Sequence, residues 1–329
     1  MIGLFEETLP YIAILVPLCI ALGFDAITGA AIVLVGASVG FTSAIMNPFT
    51  VGVAQGIAEL QPFSGLGFRI VVFIVMYVVS TAFVYRYAMK VKKTPSMGYY
   101  GLFEGQDTSN LVDANLVLKK RHKWILAAFV LNLIVIATGV IQYGWYITEI
   151  AGLFLLLGIV IGFLGRLSTQ NIVDSFMSGA STVLYGALLI GVARGIVIIL
   201  EQGHIMDTIL YYLVMLIEGL PAMLTAVGML GLQTFLSLFI PSGSGMAALT
   251  MPLMSPLADL VGITRQTAVL AFQFGDGISN LFVPGVAVAG IGIAGIPYGK
   301  WFRWLIPLLV LQYAIAIIFV IIAHAIGYM

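Results

Sequence analysis

The sequence predicts an all-α, polytopic membrane protein, and three observations support that fold class. Of the 329 residues, 61% are hydrophobic and only 9% are charged, which is more apolar surface than one water-soluble core can bury. Apolar runs of about 20 residues, long enough to cross a bilayer as helices, recur along the whole chain. These runs lack the two-residue alternation of a lipid-facing strand, so they indicate helices rather than a barrel.

The apolar segments are candidate membrane spans, and their polar flanks give an orientation. Eight of the 14 basic residues lie between Arg86 and Lys123, so residues 88–122 are predicted to be a cytoplasmic basic linker. Trp301 and Trp304 are typical of the membrane interface at the start of the last span. The alternation of sides works only if residues 205–219 form a surface helix that does not cross. The segments are 8–23, 26–58, 66–87, 123–142, 147–165, 172–200, 222–240, 246–262, 266–296 and 302–327.

The two ends of the chain repeat one another. Residues 8–87 and 247–325 each contain a proline-bearing arm, a turn, a helix interrupted by glycine, small polar residues and proline, and a final unbroken helix. With the orientation above, the copies face opposite ways, which predicts an inverted repeat with a re-entrant hairpin and discontinuous helices. Residues 1–87 would be the C-terminal part of the first repeat, with its second hairpin arm, broken helix and final helix. Residues 123–329 would be a complete second repeat.

The second repeat is expected to contain more than the first. Its predicted parts are scaffold helices 123–200, the surface helix 205–219, the hairpin 222–262, the broken helix 266–296 and the final helix 302–327. The first repeat lacks the matching first hairpin arm and tip. If the halves are equal, on the order of 110 residues are missing before Met1, so we expect an N-terminally truncated version of a longer protein.

The two helix interruptions are the predicted functional site. Main-chain N–H and C=O groups released by a broken helix cannot face hydrocarbon, so such breaks persist where they line a cavity or bind a ligand. We therefore expect the unpaired main-chain groups of both breaks to face a solute. Helix N-termini suit an anion and free carbonyls suit a cation. For any single glycine or serine, close helix packing is the competing interpretation.

Asp276 is the strongest single candidate, because an acid deep in a span costs about 2.5–3.5 kcal/mol to insert. Its structural alternative is a salt bridge to Arg194. The Asp276 carboxylate would suit a cationic amino group, whereas helix N-termini and the serine-rich tip 242–245 would suit a carboxylate. An amino acid would satisfy both.

Three stretches carry a family resemblance: residues 40–56, Pro-Ser-Gly-Ser-Gly at 241–245, and Phe-Gly-Asp-Gly-Ile-Ser-Asn at 274–280. They resemble the YfcC-type carriers, relatives of the anaerobic C4-dicarboxylate uptake carriers in the wider ion transporter superfamily. The resemblance covers essentially the whole chain, although the family's first hairpin tip is missing here. It implies a scaffold half, a moving half with two re-entrant hairpins, a homodimer and elevator-like movement, with substrate and often sodium at the hairpin tips. The substrate- or ion-binding residues that it implies are Thr42, Ser43, Asn47, Ser242, Gly243, Ser244, Gly245, Asp276, Ser279 and Asn280.

The expected function is secondary active transport of a small charged organic solute, an amino acid or a C4-dicarboxylate. The protein would be multi-pass in the bacterial cytoplasmic membrane, and not an enzyme. Symport with sodium or protons and exchange both stay open. No other cofactor and no structural metal is expected, because Cys19 and the three histidines have no companion ligands at metal spacing. Zero net charge without a basic, aromatic patch argues against nucleic acid as a partner.

Three alternatives are weighed against this function. The first is a transport-inactive, truncated carrier. An intramembrane protease fits poorly, because Ser244 lacks the Gly-x-Ser-x-Gly spacing and Asp276 has no second intramembrane aspartate. A channel would need a continuous polar lining, whereas the polar residues here cluster at two breaks.

Overall fold

The computed structural model describes residue 5 and residues 8–99, 120–143, 145, 147–240 and 242–329. Regular structure in these ranges is helical, which confirms the predicted all-α class, and they contain no strand. A π-helical turn, Pro48–Gly52, precedes α3, and a 3-10 turn, Pro95–Met97, follows α4. The α-helices are α1 (Leu9–Ala21), α2 (Ala26–Thr42), α3 (Val53–Ile57), α4 (Leu66–Lys93), α5 (Lys120–Tyr143), α6 (Ile147–Leu164), α7 (Thr169–Gln202), α8 (Ile205–Glu218), α9 (Ala222–Leu236), α10 (Gly243–Leu260), α11 (Arg265–Ser279), α12 (Val286–Ile293) and α13 (Tyr298–Ala325).

The chain divides into two compact units. One comprises Val112–Tyr185, in which α5 packs on α6. The other comprises Gly3–Leu111 with Gly186–Met329 and holds every predicted site residue. Within this larger unit, α1 packs on α2, α2 on α4, and α9 on both α11 and α13. Helices from its two ends also pack together, namely α2 on α11, α1 on α12, α10 on α3 and α4 on α13.

Similar turns introduce α2 and α11. Gly23 and Gly262 have left-handed backbones, with φ of 85° and 76°, which glycine adopts without a Cβ penalty. Two residues later, Asp25 and Thr264 each cap the next helix by accepting a hydrogen bond from the backbone N–H three residues on. The same local chemistry therefore starts both helices that the sequence predicts to be interrupted.

Two of the helices, α4 and α13, are long and apolar enough by length and composition to cross a membrane. Each has 28 residues, or about 42 Å at 1.5 Å per residue. The side chains of Ile74 and Tyr77 on α4 are more than half exposed, as expected of a lipid-facing surface. The predicted linker begins at residue 88, but α4 continues to Lys93, because its last turn carries lysines that interact favourably with the helix C-terminus. Linker residues 100–119 lie outside the described ranges.

Two further expectations differ from the structure. The serine-rich tip 242–245 of the predicted hairpin is mostly the first turn of α10, because the Ser242 hydroxyl accepts a hydrogen bond from Gly245 N at 3.2 Å and caps the helix at Gly243. Trp301 and Trp304, expected to be interfacial aromatics, are buried within the helix packing, with ring centroids 5.2 Å apart. Their large apolar area is better used inside the helix packing than at a surface.

Candidate functional site

Helix α11 is the axis of the site. All its residues from Gln266 to Ser279 are buried, although several are polar. Asp276 is only 3% exposed, and Gln273, one turn earlier, is also buried. Because buried polar groups require hydrogen-bonding partners, α11 fixes where polar groups from neighbouring helices must lie.

The end of α2 crosses α11 at a glycine. A Cβ atom on Gly277 would lie 2.4 Å from Thr42 Cα, so the backbones touch and only glycine fits there. The Ser38 hydroxyl donates to Gly277 O at 3.3 Å and stabilises this contact between α2 and α11. The Thr42 hydroxyl is buried in the same contact and makes no hydrogen bond within the part of the chain that the structure describes.

A capped π-helical turn follows this crossing. Asn47 Oδ1 accepts hydrogen bonds from Phe49 N at 2.9 Å and Thr50 N at 3.3 Å, and Pro48 occupies the first position, where no N–H is needed. Asn47 is fully buried. Its Nδ2 and the Thr50 hydroxyl are also buried and lack hydrogen-bond partners among the described residues. The turn therefore holds buried polar groups with unused hydrogen-bonding capacity.

The N-terminus of α10 closes the site. A Cβ on Gly243 would lie 2.7 Å from Thr50 Cγ2 and 2.8 Å from Asp276 Oδ2, so these three residues, distant in sequence, meet. The partial positive charge of the α10 N-terminus stabilises the Asp276 carboxylate. The position that sequence reasoning gave to a solute carboxylate therefore already faces a carboxylate of the protein.

Several carbonyls at the two breaks accept hydrogen bonds from side chains, which differs from the expectation that these groups face a solute. After α11, Trp301 Nε1 donates to Leu281 O at 2.9 Å, and the Tyr298 hydroxyl donates to Phe282 O at 2.7 Å. After α2, Gln273 Nε2 donates to Ala44 O at 3.0 Å. At the first break, the side chains of Thr42, Asn47 and Thr50 retain unused hydrogen-bonding capacity among the described residues.

Sequence reasoning found part of this constellation. Thr50, which it did not select as a site residue, contacts Asn47 and lies with Asp276 at Gly243, whereas Thr42 packs on the neighbouring Gly277. The remaining predicted residues are arranged differently. The hydroxyls of Ser43 and Ser279 donate to carbonyls in their own helices, Ser242 caps α10, Ser244 and Asn280 are half-buried, and Gly245 is exposed.

Buried glutamines and one arginine are the residues that sequence reasoning missed. Gln273 Oε1 accepts a hydrogen bond from Arg69 Nη1. Gln233 Nε2 on α9 donates to Thr250 Oγ1 at 3.0 Å, and Gln55 Nε2 donates to Gln266 Oε1 at 2.9 Å. The available signal was a set of uncharged amides within apolar segments, which membrane helices keep only where a partner exists.

The alternative Asp276 salt bridge and the expectation of no structural metal site can be compared with the described residues only. The alternative salt bridge from Asp276 involves Arg194, whose side chain is outside the described atoms. In the described ranges, no group of three or more His, Cys, Asp or Glu residues could hold a metal ion. A cation at this site would depend on hydroxyl, amide and carbonyl oxygens.

A separate cavity of about 430 Å³ lies between α2 and α4. Its lining is mostly apolar and includes Thr28, Val35, Tyr77 and Tyr85. None of the predicted site residues lines it, so it is distinct from the polar site at the breaks.

A helical, lipid-compatible fold with buried polar groups at broken helices is typical of membrane transport proteins. The chain belongs to the C4-dicarboxylate anaerobic carrier family, DcuC, whose family profile matches residues 1–325. The family resemblance seen in the three motifs is thereby confirmed, and the protein is a membrane-embedded carrier and not an enzyme.

Two curated relatives support this membership. The chain is 36% identical over 340 aligned residues to the Escherichia coli (strain K12) protein named "Putative basic amino acid antiporter YfcC", with 99% of this chain and 67% of that protein covered. It is 35% identical over 314 residues to an uncharacterized protein of Haemophilus influenzae, covering 93% of this chain and 62% of that protein. The chain thus spans about two thirds of the length of these relatives.

Two solved structures share the fold. MtrF of Neisseria gonorrhoeae, from a study of a class of antimetabolite efflux pumps, is 18% identical with a TM-score of 0.50, covering 97% of this chain and 70% of MtrF. The Alcanivorax borkumensis YdaH transporter is 15% identical with a TM-score of 0.50, covering 99% of this chain and 78% of YdaH. At these identities the likeness shows the fold alone.

Proposed function

We propose that this chain is the binding portion of a secondary active carrier, which moves an amino acid or a C4-dicarboxylate across the bacterial cytoplasmic membrane. The carrier works as a homodimer by elevator-like movement, with exchange or with coupling to sodium or protons. The chain crosses the membrane several times, with its basic linker on the cytoplasmic side.

One observation carries this proposal. Segments from three regions of the chain meet around Asp276: the π-helical turn and the N-terminus of α10 lie next to its carboxylate, and the end of α2 packs on Gly277, the next residue of α11. Three buried groups there, Thr42 Oγ1, Asn47 Nδ2 and Thr50 Oγ1, have no hydrogen-bond partner among the described residues. Each such group costs about 1–3 kcal/mol unless something binds it, so a polar ligand at this point would recover that free energy.

Packing between the two ends of the chain supports an inverted repeat. The arm α1 packs on α12, the second half of the C-terminal broken helix, and the arm α10 packs on α3, the second half of the N-terminal one. The two interrupted helices cross each other, and so do the two long final helices. This reciprocal exchange of partners is what a two-fold axis between oppositely oriented copies produces.

The residues of the site also bear on the solute and the ion. The Asp276 carboxylate favours a solute that carries a cationic group, as an amino acid does. The hydroxyl oxygens of Thr42 and Thr50 are ligands that suit a hard monovalent cation such as sodium, whereas the unused group of Asn47 is its Nδ2 donor, which suits a carboxylate or carbonyl oxygen. The family name favours C4-dicarboxylates and the name of the Escherichia coli relative favours basic amino acids, so both classes belong in the test.

The test is counterflow in proteoliposomes with labelled arginine, ornithine or succinate, with and without a sodium gradient. Saturable counterflow of at least one solute is expected. Asp276→Asn should lower it roughly tenfold or more, because a charged partner is lost from a buried site. The exposed carboxylate Asp259, paired with Arg265, gives the control Asp259→Asn, which should change counterflow less than about twofold. Equal effects of both variants would remove Asp276 from the site, and conductance without saturation would favour a channel.

A binding form that does not transport by itself is the second candidate. Helix α9 covers α11 and α13, whereas the corresponding face of α2 and α4 holds the 430 Å³ cavity and no packed helix among the described residues. Solute-induced thermal stabilisation of the purified chain without counterflow would support this candidate. Counterflow at rates typical of a carrier would exclude it.

A further inference from the structure

Arg69 is the most unusual charge in the described structure. It lies in the first turn of α4 and is 1% exposed. Its Nη1 donates to Gln273 Oε1, and the Tyr328 hydroxyl, which donates to Gly65 O at 2.8 Å, lies beside the guanidinium. Its Nε and Nη2 make no well-aligned hydrogen bond to a described residue. The guanidinium is therefore buried among neutral side chains, with Gln273 and Tyr328 as its partners, and its Nε and Nη2 lack a well-aligned acceptor among the described residues.

Other arginines of the chain behave differently. Arg265 is partly exposed and pairs with two carboxylates, Glu59 and Asp259, each at 2.8 Å. Arg303, which follows a phenylalanine at the start of α13 as Arg69 does in α4, is exposed. Within the described ranges no carboxylate forms an ion pair with Arg69. A buried cation without an anion is costly, and neither helix geometry nor the repeat requires it.

Gln273 connects Arg69 to the site. The same amide that accepts from Arg69 donates to Ala44 O, just beyond the end of α2. Asp276 follows Gln273 by one turn of α11, so the carboxylate and the arginine's partner lie on neighbouring positions of one helix. A buried guanidinium and a buried carboxylate thus flank the first break.

The arrangement of charges favours two separate subsites, one for the cationic group of a zwitterionic solute and one for its carboxylate. The N-terminus of α10 faces Asp276 Oδ2, so a solute carboxylate placed there would be repelled. A guanidinium binds a carboxylate with paired, charge-assisted hydrogen bonds, and Arg69 retains donors for them. We propose that Arg69, positioned by Gln273, is the receptor for the carboxylate group of the transported solute. This inference rests on the proposed function and assigns it carboxylate-bearing solutes.

The test compares carboxylate-bearing solutes with counterparts that lack carboxylates. Binding of arginine against agmatine, ornithine against putrescine, and succinate against succinamide is measured by thermal shift and by titration of the purified protein. Wild type should prefer at least one carboxylate-bearing member by roughly 10- to 100-fold, the worth of a charge-assisted bidentate contact. Arg69→Gln should bring that ratio close to one, and Arg69→Lys should keep part of it. Arg303→Gln, the exposed counterpart, should leave it unchanged.

A second variant distinguishes the loss of carboxylate binding from a loss of folding. Gln273→Glu keeps the contact between α4 and α11 but gives Arg69 a permanent carboxylate partner, so carboxylate preference should fall while the melting temperature is kept or raised. An unchanged preference in both Arg69→Gln and Gln273→Glu would overturn the inference while leaving the transport function intact. A wild-type protein that prefers agmatine or putrescine would do the same. Failure of wild type to bind any of the six compounds would instead contradict the proposed function, and the inference with it.

Discussion

The two helix breaks use similar sequence elements but end in different chemistry. After α2, the chain passes through the π-helical turn Pro48–Gly52 and leaves buried polar side chains at Thr42, Asn47 and Thr50 with spare hydrogen-bonding capacity. After α11, two aromatic side chains close the break by donating to the freed carbonyls of Leu281 and Phe282.

The difference separates binding from scaffolding. Aromatic donors hold the second break in one shape and leave it little to offer a ligand, whereas the first break contains groups that gain free energy only when something binds. Asp276 and Gly243 belong to the second repeat but point at the first break. We therefore expect the solute to bind at the first break. The second break is expected to have a structural role on the opposite side of the binding site.

The largest expected effect comes from the crossing between the two breaks. Gly277→Ala places a Cβ about 2.4 Å from Thr42 Cα, so the helices must separate, and we expect a loss of about 3 kcal/mol or more of stability. The melting temperature in detergent measures it. Gly231→Ala on α9, where an added Cβ meets nothing within 4 Å, should be neutral or slightly stabilising. Equal melting temperatures for the two variants would contradict the close crossing.

The next largest effect is expected from losing the hydrogen bond that Trp301 donates at the second break. Trp301→Phe removes the donor to Leu281 O and should lower stability by about 1–3 kcal/mol beyond the loss of ring area. Trp304→Phe is its matched control, because the neighbouring indole N–H is buried without a hydrogen-bond partner among the described residues. Thermal unfolding of the two variants compares them, and the account fails at this point if Trp304→Phe is the more damaging change.

At the first break, removal of a hydroxyl should have the opposite sign. Thr42→Val deletes a buried hydroxyl that has no described partner, so stability without ligand should stay equal or rise by up to about 1 kcal/mol. Thr250→Val serves as the comparison, since the Thr250 hydroxyl accepts from Gln233 and donates to Met246 O, and its loss should cost about 1–2 kcal/mol. Melting temperatures in the absence of solute decide between these signs.

The smallest effect concerns the end of each broken helix. Glu59, after α3, and Gly295, after α12, both have left-handed backbones, with φ of 57° and 65°. Gly295→Ala should destabilise by about 1 kcal/mol, because an L-residue is strained there. Glu59→Gly should gain less than about 1 kcal/mol, because it relieves strain but loses the exposed ion pair to Arg265. Both are read as shifts in melting temperature, and a stabilising Gly295→Ala would show that the two ends are not equivalent.

Sequence patterns located the two helix breaks but could not show which side chains donate hydrogen bonds to the freed main-chain carbonyls. Glycine, small polar residues and proline in one segment predict an interruption because each disfavours a continuous helix. The donors that fill the freed carbonyls come from elsewhere: Gln273 lies far along the chain from Ala44, and Trp301 lies on the next long helix after Leu281. Such contacts depend on packing between helices, which local patterns do not contain.

The burial of the Arg69 charge likewise could not be predicted from local sequence patterns. At the start of an apolar segment an arginine normally lies at the membrane surface, and Arg303 does remain exposed. Arg69 is buried because Gln273 and Tyr328 converge on it from α11 and the chain end. Asp276, by contrast, was recognisable, since a carboxylate within a span is rare whatever surrounds it.

The central claim, that solute binds at the first break while the second is structural, is tested most directly by one pair of dissociation constants. The best-binding solute is titrated into Thr42→Val and Trp301→Phe at a temperature where both remain folded. We expect Thr42→Val to weaken binding by roughly tenfold, the worth of one buried hydrogen bond, and Trp301→Phe to change it less than about twofold. Unchanged affinity in Thr42→Val together with lost affinity in Trp301→Phe would contradict the account.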